Sequence, residues 1–254
     1  MDLVIYAGRI GLISFILASI LFATTLKDRG GAGRMFAFAT LALATVSTLG
    51  PLLIDFIENQ RILHAGILLA GLIGLSAVIA ETKFRLKFAG PIASPLATIL
   101  LIFELLNGQS ADIIAPGTPL FLSLHVASAI LGELAGAISF IIAMMFIWQQ
   151  RALKEKNIKD LSNLPALDRL ASGLHIAVVI GFVLLSITLV TGAGFAADAT
   201  KKFGLAKLIW AIFVWVWYLL IIISRNYLGK PTRTQAHWAI FGFLVQFFAL
   251  YALL

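Results

Sequence analysis

Apolar residues along this chain do not alternate with polar ones but run in long blocks, at 3–26, 34–57, 62–80, 88–106, 118–149, 172–197, 204–224 and 235–254. Polar and charged residues collect in the breaks between them, at 27–34, 58–61, 81–87, 107–118, 151–169, 198–202 and 225–234. A hydrocarbon core about 30 Å thick is crossed by ~20 residues of helix rising 1.5 Å per residue, and each block is about that long or longer. Backbone in lipid must satisfy its own hydrogen bonds, so each block reads as a helix. The pattern predicts an all-α fold: a polytopic membrane protein, a bundle of about eight transmembrane helices forming a single integral membrane domain over 1–254. Pro91 and Pro95 predict a kink in the fourth span. The fifth span exceeds a bilayer's needs, so either its end projects into the 151–159 loop or part of 118–124 lies at the interface. The first block has no basic leader and no small-residue cleavage site, and reads as a retained helix.

Composition strengthens this reading. With 61% hydrophobic and 12% charged residues, against roughly 45–50% and about 25% in soluble domains, a soluble fold is excluded. The net charge of +7 would suggest nucleic acid in a soluble protein. Here the basic residues sit in short loops, so no nucleic-acid partner is expected and the charge reports membrane orientation. Lys27, Arg29, Arg34, Lys83, Arg85, Lys87, five more between 151 and 169, and Arg225, Lys230 and Arg233 lie on one side, 14 in all. Arg61, Lys201, Lys202 and Lys207 make 4 on the other, with Arg9 inside the first span. Both termini are therefore expected on the outer side. There is no cysteine, which excludes disulfides, thiolate metal sites and thioether haem attachment. No H-E-x-x-H, G-x-S-x-G or carboxylate pair supports a hydrolase. Gly30, Gly31 and Gly33 follow no strand and mark a turn, while Gly66, Ala70 and Gly74, and Gly132 and Gly136, form small-residue faces for close helix packing.

Orientation sorts the four histidines by depth. His64 and His125 lie near the outer starts of the third and fifth spans, His175 and His237 near the inner starts of the sixth and eighth. Imidazoles facing each other across a helix bundle can hold haem iron at both axial positions. Glu133 falls near the middle of the fifth span, where a charge costs at least ~2.5–3.5 kcal/mol and must be protonated, paired or hydrated. It follows His125 by eight residues, roughly 80° and roughly 12 Å on, so both can line one cavity. Arg9 is a candidate partner for Glu133 or for a haem propionate. Asp55, Glu58 and Glu104 lie near outer span ends and read as interfacial. Trp210, Trp215, Trp217 and Tyr218 in the seventh span read first as packing residues that could also wall a flat cofactor.

Four segments carry a family resemblance: LHVASAILGELAGAISF (124–140), the basic RALKEK (151–156), LPALDRLASGLHIAVVIGFVLLSITLVTGAGFA (164–196) and AKLIWAIFVWVWYLLIIISR (206–225). Region 118–227 resembles the membrane domain of the cytochrome c assembly family, of the CcsA, CcmC and HemX types. Members carry haem in or across the membrane and present it at the outer face. The resemblance places His125 on an outer haem-ligand histidine and His175 on one found in YpjD-like members, with Asp168 and Arg169 in the "LDRL" pattern. The family's tryptophan-rich outer loop is replaced by GFAADATKKFGLAK (194–207), and its inner histidine falls near Ile223. The chain is thus most similar to the HemX/YpjD-like branch.

The resulting expectation is a multi-pass protein of a bacterial inner membrane that binds and relays b-type haem, with no covalent catalysis. His125 and His64 would serve on the outer side and His175 and His237 on the inner, while Arg9, Lys201 or Lys202 neutralise propionates. Its partners would be lipid and other membrane subunits of a cytochrome assembly or respiratory complex. The alternatives are a haem-free scaffold or regulatory subunit of such a complex, and a small-solute transporter using Glu133.

Overall fold

The computed structural model describes residues 2–25, 31–59, 62–84, 86, 88–107, 112–114, 118–155, 166–196 and 204–252. Among them are eight helices: α1 (Asp2–Thr25), α2 (Gly31–Asn59), α3 (Ala65–Lys83), α4 (Ala89–Asn107), α5 (Leu120–Lys154), α6 (Leu167–Ala196), α7 (Gly204–Asn226) and α8 (Thr232–Ala252). The fold is all-α, and seven of these helices are long and apolar enough to cross a membrane; α8 opens on polar residues, from Thr232 to Gln235. Most ends fall within three residues of the hydropathy blocks. The largest departures are at the outer reaches of the basic loop. There α5 runs on to Lys154, and α6 begins at Leu167 and not at 172, with Asp168 in its first turn, where a carboxylate complements the helix dipole. At 35 residues, α5 is about 52 Å long, well beyond a ~30 Å core. Pro91 lies in the first turn of α4, where its missing N–H costs nothing, and the helix continues through Pro95.

The chain divides into two compact units, Met1–Gly117 and Thr118–Leu254. In the first, α1 packs on α2, α2 on α3, α3 on α4 and α4 back on α1, closing a ring of four consecutive helices. The second repeats the arrangement with α5, α6, α7 and α8. Each unit has its own core. Phe15, Phe22, Leu41, Ile73 and Leu100 are fully buried in the first, Tyr218, Phe243, Met145 and Leu174 in the second. Alanines such as Ala37, Ala70, Ala97, Ala137 and Ala239 are buried between helices, letting backbones approach as in membrane bundles. Large side chains such as Ile13, Val46 and Val190 stand exposed along the helices, as a lipid environment requires. Hydroxyls inside the helices turn back on their own backbone: Thr45 donates to the Leu41 carbonyl, Thr48 to Ala44 and Ser94 to Gly90.

Two polar features brace the first unit. At one end, buried Glu81 of α3 accepts the Gly90 N–H at the start of α4 (3.0 Å) and pairs with Arg34 of α2 (3.4 Å). A carboxylate thus sits on the positive end of α4 and joins three helices. Elsewhere, β1 (Ile62–Leu63) and β2 (Asp112–Ile114) form a short antiparallel pair with an irregular register. Hydropathy gave no sign of this pair, because two or three residues are too few for a period to show.

Candidate functional site

His125 lies in the second turn of α5, half-buried against α6. Its Nδ1 is 3.0 Å from the Thr188 carbonyl oxygen. A carbonyl only accepts, so Nδ1 carries the proton and donates. The Thr191 hydroxyl gives its hydrogen to the Ile187 carbonyl (2.7 Å), which leaves its oxygen, 3.4 Å from Nδ1, as a second acceptor. Ser128 and Thr188 meet through their hydroxyls at 2.9 Å one turn deeper. The ring rests on Gly192, where a Cβ would lie 2.8 Å from Cε1 and 3.1 Å from Nδ1. The T-G pair of the 164–196 segment is therefore the seat of this imidazole. Metal-binding histidines characteristically donate one ring N–H to a carbonyl or carboxylate, which sets the tautomer with the lone pair on the other nitrogen.

His64 belongs to the first unit, at the junction between β1 and α3. It is buried, 6% exposed, and is the sole non-glycine residue with positive φ among those described, at φ 57°. Its Nδ1 is 3.4 Å from Glu104 Oε1 on α4. Its Nε2 is buried and has no hydrogen-bond partner. Glu104 reaches it across Gly66, where a Cβ would come 2.9 Å from the Glu104 Cδ and closer still to Oε2. The small face of α3 expected for helix packing thus receives a carboxylate at Gly66, and Thr45 and Phe15 at Gly74.

The other sequence candidates are placed as follows. His175 is half-buried on α6, one turn beyond Ala171, whose carbonyl accepts from Arg225 Nη1 of α7 (2.8 Å). His237 is on the exposed face of α8, its Nδ1 donating to the Arg233 carbonyl of its own helix (2.7 Å). Among the described residues no hydrogen bond joins His175 to His237. Glu133, half-buried on α5, lies beside Gln246 of α8. Gln246 Oε1 accepts from the buried Tyr218 hydroxyl (2.9 Å). Arg9 is exposed on α1 with its guanidinium 5.7 Å from the Tyr6 ring centroid, a cation–π contact. Lys201 and Lys202 lie outside the described residues. The α7 tryptophans pack: Trp215 donates to Ser186 of α6 (2.8 Å) and Trp217 to the Trp238 carbonyl of α8 (2.9 Å).

Glu104, Thr188, Thr191 and Gly192 are the neighbours that reading the sequence missed as partners. Depth narrows the search for them without showing which way each side chain turns. Consecutive spans reverse direction, so the start of span three shares a level with the end of span four, and likewise for spans five and six. Among the described residues no three His, Cys, Asp or Glu side chains gather to hold a metal ion.

No curated relative and no solved structure matches the chain. Residues 60–253 match the family described as "Cytochrome C assembly protein". That match takes in His64 and α3, well upstream of the segments that carry the resemblance. Covering most of a multi-pass helical membrane protein, it establishes that the chain belongs to the cytochrome c assembly protein family.

Proposed function

We propose that this cytochrome c biogenesis-type membrane protein is a haem-handling factor of a bacterial inner membrane, nearest the HemX-like branch, which holds b-type haem through histidines in its helix bundles. The observation that carries the reading is the seat of His125. Its Nδ1–H is committed to the Thr188 carbonyl and its ring is set against Gly192, which is how a protein presents an imidazole Nε2 to iron. Of the outer histidines His125 fits the group, half-buried among apolar helices with Nδ1 already bonded, whereas Nε2 of His64 is enclosed at its turn. Haem, if bound, would supply a redox-active iron. The chain contributes neutral imidazoles of fixed tautomer, with Arg9, Lys201 and Lys202 as candidate counter-charges for propionates. Binding and relay to other membrane subunits follow from such a site, and no side-chain nucleophile is required. The inner histidines His175 and His237 are candidate ligands of a second haem.

The test is the absorption spectrum of protein purified from haem-replete cells. A Soret band is expected that His125→Ala weakens or shifts, while His175→Ala and His237→Ala report on an inner site. A stable larger complex without any Soret band would instead favour the haem-free scaffold, which the lack of tryptophan in 194–207 also suits.

A further inference from the structure

The two units share one cyclic arrangement of four helices but fill it differently. In the first, mid-helix Phe15 of α1 closes over Gly74 of α3, and Phe15, Ile73 and Leu100 are fully buried. In the second, Gly136 of α5 makes room for two polar groups. A Cβ there would lie 2.9 Å from both Gln246 Oε1 of α8 and the Tyr218 hydroxyl of α7. Glu133 stands one turn away on α5, beside Gln246. The first unit shows that such a ring closes without a polar centre, whereas the second holds one at a depth where ionisable groups are costly and characteristically functional.

This centre is organised around one carboxyl. Tyr218, fully buried, donates to Gln246 Oε1 (2.9 Å), and Ser139 donates to the Gly136 carbonyl (2.7 Å). With Oε1 taken, the Gln246 amide turns its N–H toward Glu133. Among the described residues no Lys, Arg or His pairs with Glu133, and Arg9, a candidate partner by sequence, belongs to the first unit and lies over Tyr6. The neighbouring helix α6 meets this level with Leu184 and Leu185, at Gly132, nine residues or more beyond His175. His237 lies nine residues before Gln246, and His125 eight before Glu133. Tyr218 of α7 is therefore the titratable side chain that faces the carboxyl. A metal ion would need several free oxygens, but Gln246 Oε1 is engaged and no metal-binding cluster gathers among the described residues. The ligand that fits a single carboxyl among neutral donors is a proton. We propose that Glu133 is a proton-binding site inside the second unit. Its carboxylate takes one proton from water to become the neutral acid and returns it to water, while Gln246, held by Tyr218, supports the carboxyl in both forms. The site requires no haem and uses no histidine.

The test uses the full chain in detergent, treated with dicyclohexylcarbodiimide, a lipophilic reagent that modifies carboxyls while they hold a proton. Labelling runs from mildly acid to mildly alkaline pH, and mass spectrometry locates the modified residue. Half-buried Glu133 should be labelled at the acid end and lose its label as pH rises, by about tenfold per pH unit beyond the midpoint. The infrared carbonyl band of a protonated carboxyl should fall over the same range in wild type, and that component should be missing in Glu133→Gln. Gln246→Leu removes an N–H that favours the carboxylate, so it should move the midpoint up by about one pH unit, a tenfold gain in proton affinity. A purely structural Gln246 would leave the midpoint in place, and that result would remove it from the site. No infrared difference between wild type and Glu133→Gln at any pH would overturn the proposal. So would a Glu133 band that stays constant across the range, the mark of a carboxyl serving only as a fixed hydrogen-bond donor. The infrared profile decides where the reagent does not reach, and should Glu133→Gln fail to fold, the labelled position and band of wild type decide. Because no step involves haem, the outcome is separate from that of the Soret test.

Discussion

Gly192→Ala should unseat His125 while leaving α6 intact. The added Cβ would lie 2.8 Å from the ring's Cε1 and 3.1 Å from Nδ1, against about 3.5–4.0 Å for relaxed carbon contacts. The ring must therefore retreat by about 0.7–1.2 Å at Cε1. Its hydrogen bond to Thr188 is 3.0 Å long, so a shift of that size along the bond carries it past the hydrogen-bonding range. Overpacking costs about 1–3 kcal/mol and the lost hydrogen bond about 0.5–1.5 kcal/mol. Replacing a glycine within the helix by alanine returns ~1 kcal/mol, leaving a net destabilisation of about 0.5–3.5 kcal/mol. Gly173→Ala on the same helix is the control, because its Cβ would meet only Ile142 Cδ1 at an ordinary 3.6 Å. It should be neutral or slightly stabilising. Thermal unfolding of the two variants in one detergent, read beside the Soret band, separates the effects. If Gly192→Ala melts with or above Gly173→Ala and its haem spectrum is that of wild type, the seat described for His125 is wrong.

Two further outcomes follow from the polar contacts. Glu81→Ala removes the acceptor of the Gly90 N–H and the partner of Arg34; it should cost about 1–3 kcal/mol, with Glu81→Gln milder because it keeps an acceptor, both read by thermal unfolding. Tyr218→Phe removes the donor to Gln246 Oε1 in a buried site. A loss of about 1–2 kcal/mol is expected, and an unchanged melt would mean that the Tyr218–Gln246 contact contributes nothing.

The helices themselves were legible in the chain. The boundary of α7 at Asn226 lies two residues from the end of its hydropathy block, because lipid rewards an uninterrupted apolar stretch and forces its backbone into a helix. The start of α6 was placed late because Asp168 and Arg169 looked like loop. Backbone hydrogen bonding continues beyond the apolar stretch wherever helix ends can reach water or headgroups. The histidines could be sorted by level, but Glu104 was read as an interfacial acid, since its depth alone does not show that it turns toward α3.

Hydropathy and charge order determined, without any coordinates, that this is a helical membrane protein and roughly where its spans lie, since both depend only on local composition over a fixed thickness of lipid. Tertiary structure decided how each helix is rotated and which neighbour it meets. That rotation puts Glu104 against His64 over Gly66 and puts the Thr188 carbonyl and Gly192 beneath His125. Such pairings join residues dozens of positions apart, and no local pattern encodes them: they arise when small residues on one helix leave room for a polar side chain on the next.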